Sequence, residues 1–402
     1  MRIQSFVVSL LLSAPALATN QVWVVGPVAG PGIDFTSVQA AVTAAGNGDL
    51  VLIRPGPYAA ETVVLQGKSL QLVGDVRLGQ VDTHCALVAG AGGAASDWML
   101  RNLVLHAPGD GLAALALSDS IGTAWVEGCT LAAEPGSAAN GALNAHSVGG
   151  LLVMRCDVRP SGGTAIEVSA TPVALWNSIA YGAAGAIGGV LQVQPGAGLS
   201  SDGPVLSTGC VFEGGAGAPA AAGCAPGAGD GAVGLALSGA ASALLTETIL
   251  FGGGPGSGGS GCGNGAPGAE TNAPGATSVN PFGFARGLEV PSPIREGESF
   301  LMSFHAIPDE FAFCAWSLES DFAALPELWT VIGLGGAVTI FPVGLVEGGG
   351  AVPLALTATE LGAGIEFATI YAQPIFYTPF FPPGADWSLG APSAIVVLDR
   401  SL

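Results

Sequence analysis

The chain has 402 residues, of which 64 are glycine and 28 proline, about a quarter of the total. That composition excludes a helical bundle, because Gly and Pro are the poorest helix formers. Only 10 Lys and Arg stand against 30 Asp and Glu, a formal charge of −20, and Lys68 is the single lysine. Without clustered cations to displace counterions, nucleic acid is excluded as a partner, and an anionic membrane surface with it.

Residues 1–18 read as an export signal. Arg2 supplies the positive end, Phe6 to Leu12 the apolar stretch, and Ala16-Leu17-Ala18 the small-x-small cleavage site. The apolar run is too short to span a bilayer, and no later run reaches about 18 apolar residues. A secreted or cell-surface monomer cleaved after Ala18, with no transmembrane segment, is expected. Seven cysteines (85, 129, 156, 210, 224, 262 and 314) permit disulfides in that compartment. They are too sparse to form a disulfide scaffold, and their odd number leaves at least one unpaired.

Val22–Val25 reads as a strand, followed by a Gly/Pro turn. A helix is expected from Thr36 to about Ala45: Thr36 and Gln39 have capping-box spacing, and Val38, Ala41, Val42 and Ala45 share one face. Gly46-Asn47-Gly48-Asp49 stops it. Leu50–Ile53 reads as a buried strand, then comes the turn Arg54-Pro55-Gly56-Pro57, then strands at 62–65 and 70–73.

Two runs in this stretch, Asp34-Phe35-Thr36-Ser37-Val38-Gln39-Ala40-Ala41-Val42 and Gly48-Asp49-Leu50-Val51-Leu52-Ile53-Arg54-Pro55-Gly56-Pro57-Tyr58, resemble the start of secreted parallel β-helix proteins of the pectin-lyase-like superfamily. The resemblance covers about 45 residues. It implies an all-β fold, a right-handed parallel β-helix whose open end is covered by an N-terminal capping helix.

An internal repeat points the same way. Asp75, Asn102, Cys129 and Cys156 are spaced 27 residues apart, each closing a short apolar stretch. Three residues earlier stand Leu72, Met99, Val126 and Val153, all apolar; five earlier stand Leu70, Asp97, Ala124 and Leu151, with Asp97 the exception. Coils that bury equivalent side chains on one another give such columns. The parallel β-helix is expected over 19–281. Its part from 213 to 281 is made of glycine-rich coils or excursions without the strict triplet of collagen, free disorder being the alternative. After Pro281 aromatics return and alternating runs such as Val338-Thr339-Ile340-Phe341 appear. A small C-terminal β-sandwich is expected over 282–402, and it resembles the β domains that end many exported bacterial β-helix proteins.

The polar residues yield few candidates for chemistry. Enzymes of the resembled superfamily act on acidic polysaccharides, as calcium-dependent lyases with a proton-abstracting Arg or Lys, as esterases with paired aspartates, or as hydrolases. Their characteristic runs do not occur here. Arg155-Cys156-Asp157-Val158-Arg159 is the one place where two cations and a carboxylate fall within five residues. Arg155, Asp157 and Arg159 are therefore the catalytic candidates, against the reading of a solvated turn. Asp75 and Asp82 are the candidates for Ca²⁺, although the acids around the regular coils form no column. His106 with Asp110 would make an acid/base pair or simply a turn, and Ser147 beside His146 lacks a nucleophile elbow. Cys129 and Cys156 lie one coil apart and read as buried free thiols or as a bridge between coils, while Cys224 and Cys262 are the disulfide candidate. The expectation is an exported non-catalytic protein, structural or glycan-binding, whose partners are polysaccharide or other cell-surface components. The alternative is a lyase or esterase acting on acidic polysaccharide.

Overall fold

A computed structural model of the chain describes residues 20–107, 112–133, 141–188, 191–221, 224, 227–259, 261–280, 284–325, 330–378 and 387–402. The expected export signal and Asp110 lie outside them. The fold is all-β: the only α-helix among the described residues is Val38–Ala44. It starts later than Thr36, because Ser37 and not Thr36 is the N-cap, its hydroxyl accepting from the Ala40 N–H at 3.1 Å. The capping box does not form, and the Gln39 amide turns to Thr43 instead. The chain divides into two compact units.

One unit holds residues 56–67 and 81–283 and is a parallel β-helix. Each regular coil crosses three sheets in turn. Glu61–Gln66 and Cys85–Gly90 belong to the first sheet, Trp98–Arg101 to the second and Val104–Ala107 to the third. Leu115–Glu127 and Leu143–Met154 are long strands that bend from the first sheet into the second. Thr130–Ala133 and Asp157–Arg159 then enter the third. Further rungs of the second sheet follow at Val173–Trp176, Val205–Thr208, Ala243–Thr246 and Thr277–Val279.

The register corrects the 27-residue column. Val126 pairs with Val153 as expected, but its partner in the preceding coil is Leu100, and Met99 pairs with Trp125. That step is therefore 26 residues. The shift also removes the anomaly at Asp97, because Trp98 and not Asp97 aligns with Ala124 and Leu151. Met99, Val126 and Val153 are all buried.

The corner between the second and third sheets follows one rule. Asn102, Gly128, Arg155, Asn177, Gly209 and Glu247 all have φ between 46° and 64°, the left-handed region that glycine and asparagine enter most easily. After the first five the next residue turns inward, since Leu103, Cys129, Cys156, Ser178 and Cys210 are buried, whereas Thr248 is half-buried. Cys129, Cys156 and Cys210 are free thiols in this column, as are Cys85 and Cys314 elsewhere. Burial pushes the Cys156 and Cys210 thiols above their ordinary range.

The glycine-rich segments are ordered by their backbones. Gly214, Gly217 and Ala220 donate to the carbonyls of Phe251, Gly254 and Ser257, a step of three residues. Returning segments repeat it, with Gly265 and Gly268 donating to Gly256 and Gly253. Three residues is the turn of a polyproline II helix, which has no internal hydrogen bonds; here neighbouring segments accept its N–H groups. Glycine is required because the segments touch backbone to backbone: a Cβ on Gly215 would overlap the Ala183 carbonyl, and one on Gly253 the Gly215 carbonyl. Cys224 and Cys262, near the tips of two excursions, are joined in a disulfide.

The other unit holds residues up to 55, 68–80 and 284–402. Val22–Val25, Leu50–Ile53 and Leu70–Gly74 pair in parallel, with the helix beside them. Lys68 ends that helix, its ammonium donating to the carbonyls of Val42, Thr43 and Ala45 at 2.8–2.9 Å. In the C-terminal segment the three strands Gly287–Glu289, Ser299–His305 and Ala351–Thr357 face a second sheet built on Phe367–Tyr377. Leu288, Met302, Phe304, Phe376, Ile395 and Val397 form the core of this small sandwich. It belongs to one unit with the opening coil: Arg295 reaches Asp75 at 3.5 Å, Arg77 reaches Glu298 at 3.0 Å, and Thr369 donates to Gln71 at 2.6 Å.

Candidate functional site

The candidate residues of the Arg155–Arg159 turn separate. Arg155 occupies a left-handed corner and bonds the buried carboxylate of Glu127, which also holds Arg101 at 2.5 Å and accepts from the Trp125 indole at 2.8 Å. Burial lowers the pKa of Arg101, and the Glu127 charge opposes that. The two guanidiniums compensate the buried Glu127 charge, so removing either partner would leave it less well paired. Arg159 instead grips Asp157 through two hydrogen bonds of 2.6 and 2.7 Å, which raise its pKa, and lies 5.4 Å over the Tyr181 ring. A shallow cavity of about 310 Å³ lies there, lined by Arg159, Pro160, Tyr181 and Gly182 to Ala184. The two arginines thus serve different carboxylates and do not form one clamp.

Asp75 is a poor cation ligand for a plain reason: it is fully buried and already ion-paired to Arg77 and Arg295. Asp82 is half-exposed beside two imidazoles, with its carboxylate 3.3 Å from His106 Nε2 and 3.7 Å from His84 Nε2. Among the described residues these three side chains are the set that could hold a metal.

A different cluster emerges on the outer face of the first sheet. The inward residues there are Leu115, Leu117, Leu143, Ala145, Ile166 and Val168, all buried. Their alternates point outward and stack from coil to coil. One row runs Ala116, Asn144, Glu167 and Ser200; the next runs Ser118, His146 and Ser169. His146 Nδ1 and the Ser169 hydroxyl are 2.6 Å apart. The Asn144 side-chain oxygen is buried without a hydrogen-bond partner. These residues line a depression of about 460 Å³, floored by Ala116, Leu117 and Ala145. Neighbouring rungs continue the rows with Val88 beside Ala116, Gly90 beside Ser118 and Ala236 beside Ser200. The polar groups therefore form a patch whose adjoining rungs, at Val88, Gly90 and Ala236, carry no polar side chain.

Chemically the patch offers a hydroxyl–imidazole pair, two more hydroxyls, an amide and a carboxylate. A hydrolytic triad needs a third group to orient the base. Among the described residues no carboxylate lies within ion-pair reach of His146. Sequence reasoning singled out His146 only with Ser147, which is its chain neighbour and points elsewhere. The alternation Asn144/His146 and Glu167/Ser169, polar at every second strand position, was the available signal.

No protein-family model matches the chain, and no curated protein is similar to it in sequence. Among solved structures it has a distant likeness to the crystal structure of Escherichia coli YbhC, with 12% sequence identity and a TM-score of 0.28 over 60% of this chain and 74% of that one. By its own coils the chain is a parallel β-helix protein with a C-terminal β-sandwich.

Proposed function

We propose that this protein is an exported glycan-binding β-helix that holds a saccharide in the depression formed by Asn144, His146, Glu167 and Ser169. The observation that carries the reading is the coil-to-coil stacking of these side chains on a rigid sheet. Saccharide hydroxyls need donors and acceptors fixed at close spacing over a shallow floor, and neighbouring rungs about 4.8 Å apart supply that spacing. The formal charge of −20 and the local Glu167 favour a neutral glycan over a polyuronate.

The 2.6 Å contact between Ser169 and His146 supports a second reading, an esterase removing acyl groups from a polysaccharide. One experiment separates the two. Neutral and acetylated glycans are arrayed against the wild-type chain, His146→Ala and Asn144→Ala, while acetate release is followed in parallel. Binding without release, weakened about tenfold or more in both variants, is expected. Acetate release abolished by Ser169→Ala would establish the esterase, and undiminished binding by both variants would remove the site.

A further inference from the structure

Asp82, His84 and His106 meet away from the saccharide depression. Asp82 and His84 precede the strand Cys85–Gly90, and His106 stands on Val104–Ala107 of the same coil. The coil's return brings them together: Asp82 bridges Val104, and the Thr83 N–H donates to the Val104 carbonyl at 3.1 Å. Asp82 and His84, two positions apart, project to the same side, while the intervening Thr83 is buried. His84 is held at φ 46° with its N–H on the Asp82 carboxylate at 3.1 Å. Its ring stacks on that of His106, centroids 5.2 Å apart and 18° from parallel.

We propose that these three side chains form a binding site for a divalent transition metal of the zinc class. One ligand atom from each residue lies within 4.8 Å of the other two. The separations of 3.3 Å from Asp82 Oδ1 to His106 Nε2 and 3.7 Å from Asp82 Oδ2 to His84 Nε2 lie close to the edge of a tetrahedron with metal–ligand bonds of about 2.0–2.1 Å. His106 Nε2 is buried and makes no hydrogen bond, so the structure leaves a lone pair or proton there without a hydrogen-bonding partner. Two imidazoles and one carboxylate suit zinc, copper, nickel or ferrous iron, whereas calcium prefers six or more oxygens. The His84 and Asp82 side chains are 47% and 40% exposed, so the remaining coordination position opens to solvent and to an exchangeable ligand. This assignment is independent of the saccharide reading.

The test is calorimetric titration of the metal-stripped full chain with Zn²⁺, alongside Co²⁺ absorption to report coordination. One equivalent is expected to bind, with a visible Co²⁺ d–d spectrum. Binding should weaken about tenfold or more in His106→Ala and in His84→Gln. Thermal melts of the metal-free variants matching the wild type would show that folding is intact. No saturable binding by the wild-type chain would overturn the proposal. So would a single site whose affinity and Co²⁺ spectrum survive in the His84→Gln/His106→Ala double variant, since the metal would then lie elsewhere.

Discussion

Val153 and Gly215 both sit where successive layers of one molecule touch, yet they close that contact by opposite means. Val153 hides a branched side chain between Val126 and Leu175. Gly215 hides nothing of its own and lets the Ala183 carbonyl approach its Cα. The coils exchange apolar surface for stability. The excursions exchange the absence of side chains for interchain-like hydrogen bonds between extended segments. Packing tolerance should differ accordingly: a coil suffers when atoms are removed and an excursion when they are added.

The largest effect is expected from Leu151→Ala. Leu151 is fully buried between Ala124 and Val173, and urea unfolding should show a loss of about 2–5 kcal/mol. Gly253→Ala should cost less, about 1–3 kcal/mol of overpacking. It should also strip hydrogen-exchange protection from the Ala232–Gly253 contact while leaving the strand amides protected. Gly254→Ala, where a Cβ meets open space, is the control and should be neutral. If Gly253→Ala were equally silent, the contrast between the two regions would be lost.

The smallest effect concerns the other unit. Burial works to raise the pKa of Glu310, but hydrogen bonds from Arg286 at 2.5 and 2.8 Å and from Thr378 at 2.5 Å, with the Arg286 charge, outweigh it and hold the carboxylate below its ordinary range. A folded-state value below the unfolded one stabilises above the ordinary carboxylate range, and that stability disappears as pH falls through the folded value. Acid melts should therefore show the sandwich losing stability below about pH 4.5, with a flatter pH dependence in Glu310→Gln.

The solenoid was legible because its coils repeat their apolar positions, and even the misalignment left a trace: Asp97 broke a column that a 26-residue step restores. The helix was legible to within two residues, with the cap misassigned between adjacent Thr36 and Ser37. Order in the excursions was not legible, since its period of three lies in backbone hydrogen bonds and not in a Gly-x-y sequence. The patch at Asn144, His146, Glu167 and Ser169 was visible only as alternation, which reads as an ordinary solvated strand face until neighbouring coils are stacked. His84 and His106 are distant in sequence and meet only because the chain travels once around the solenoid. Asp75 has Arg77 two residues away, but nothing in the sequence pointed to Arg295, which lies 220 residues away.

The corner from second to third sheet is always two residues long, at 102–103, 128–129, 155–156, 177–178, 209–210 and 247–248. The return to the first sheet ranges from 160–165 to the long excursion 214–234. A coil therefore has one hinge of fixed gauge, and its longest variation lies in the return. Natural length drift, and any loop or tag grafted by an engineer, should collect at the return, where new chain can be spliced in without unthreading the stack.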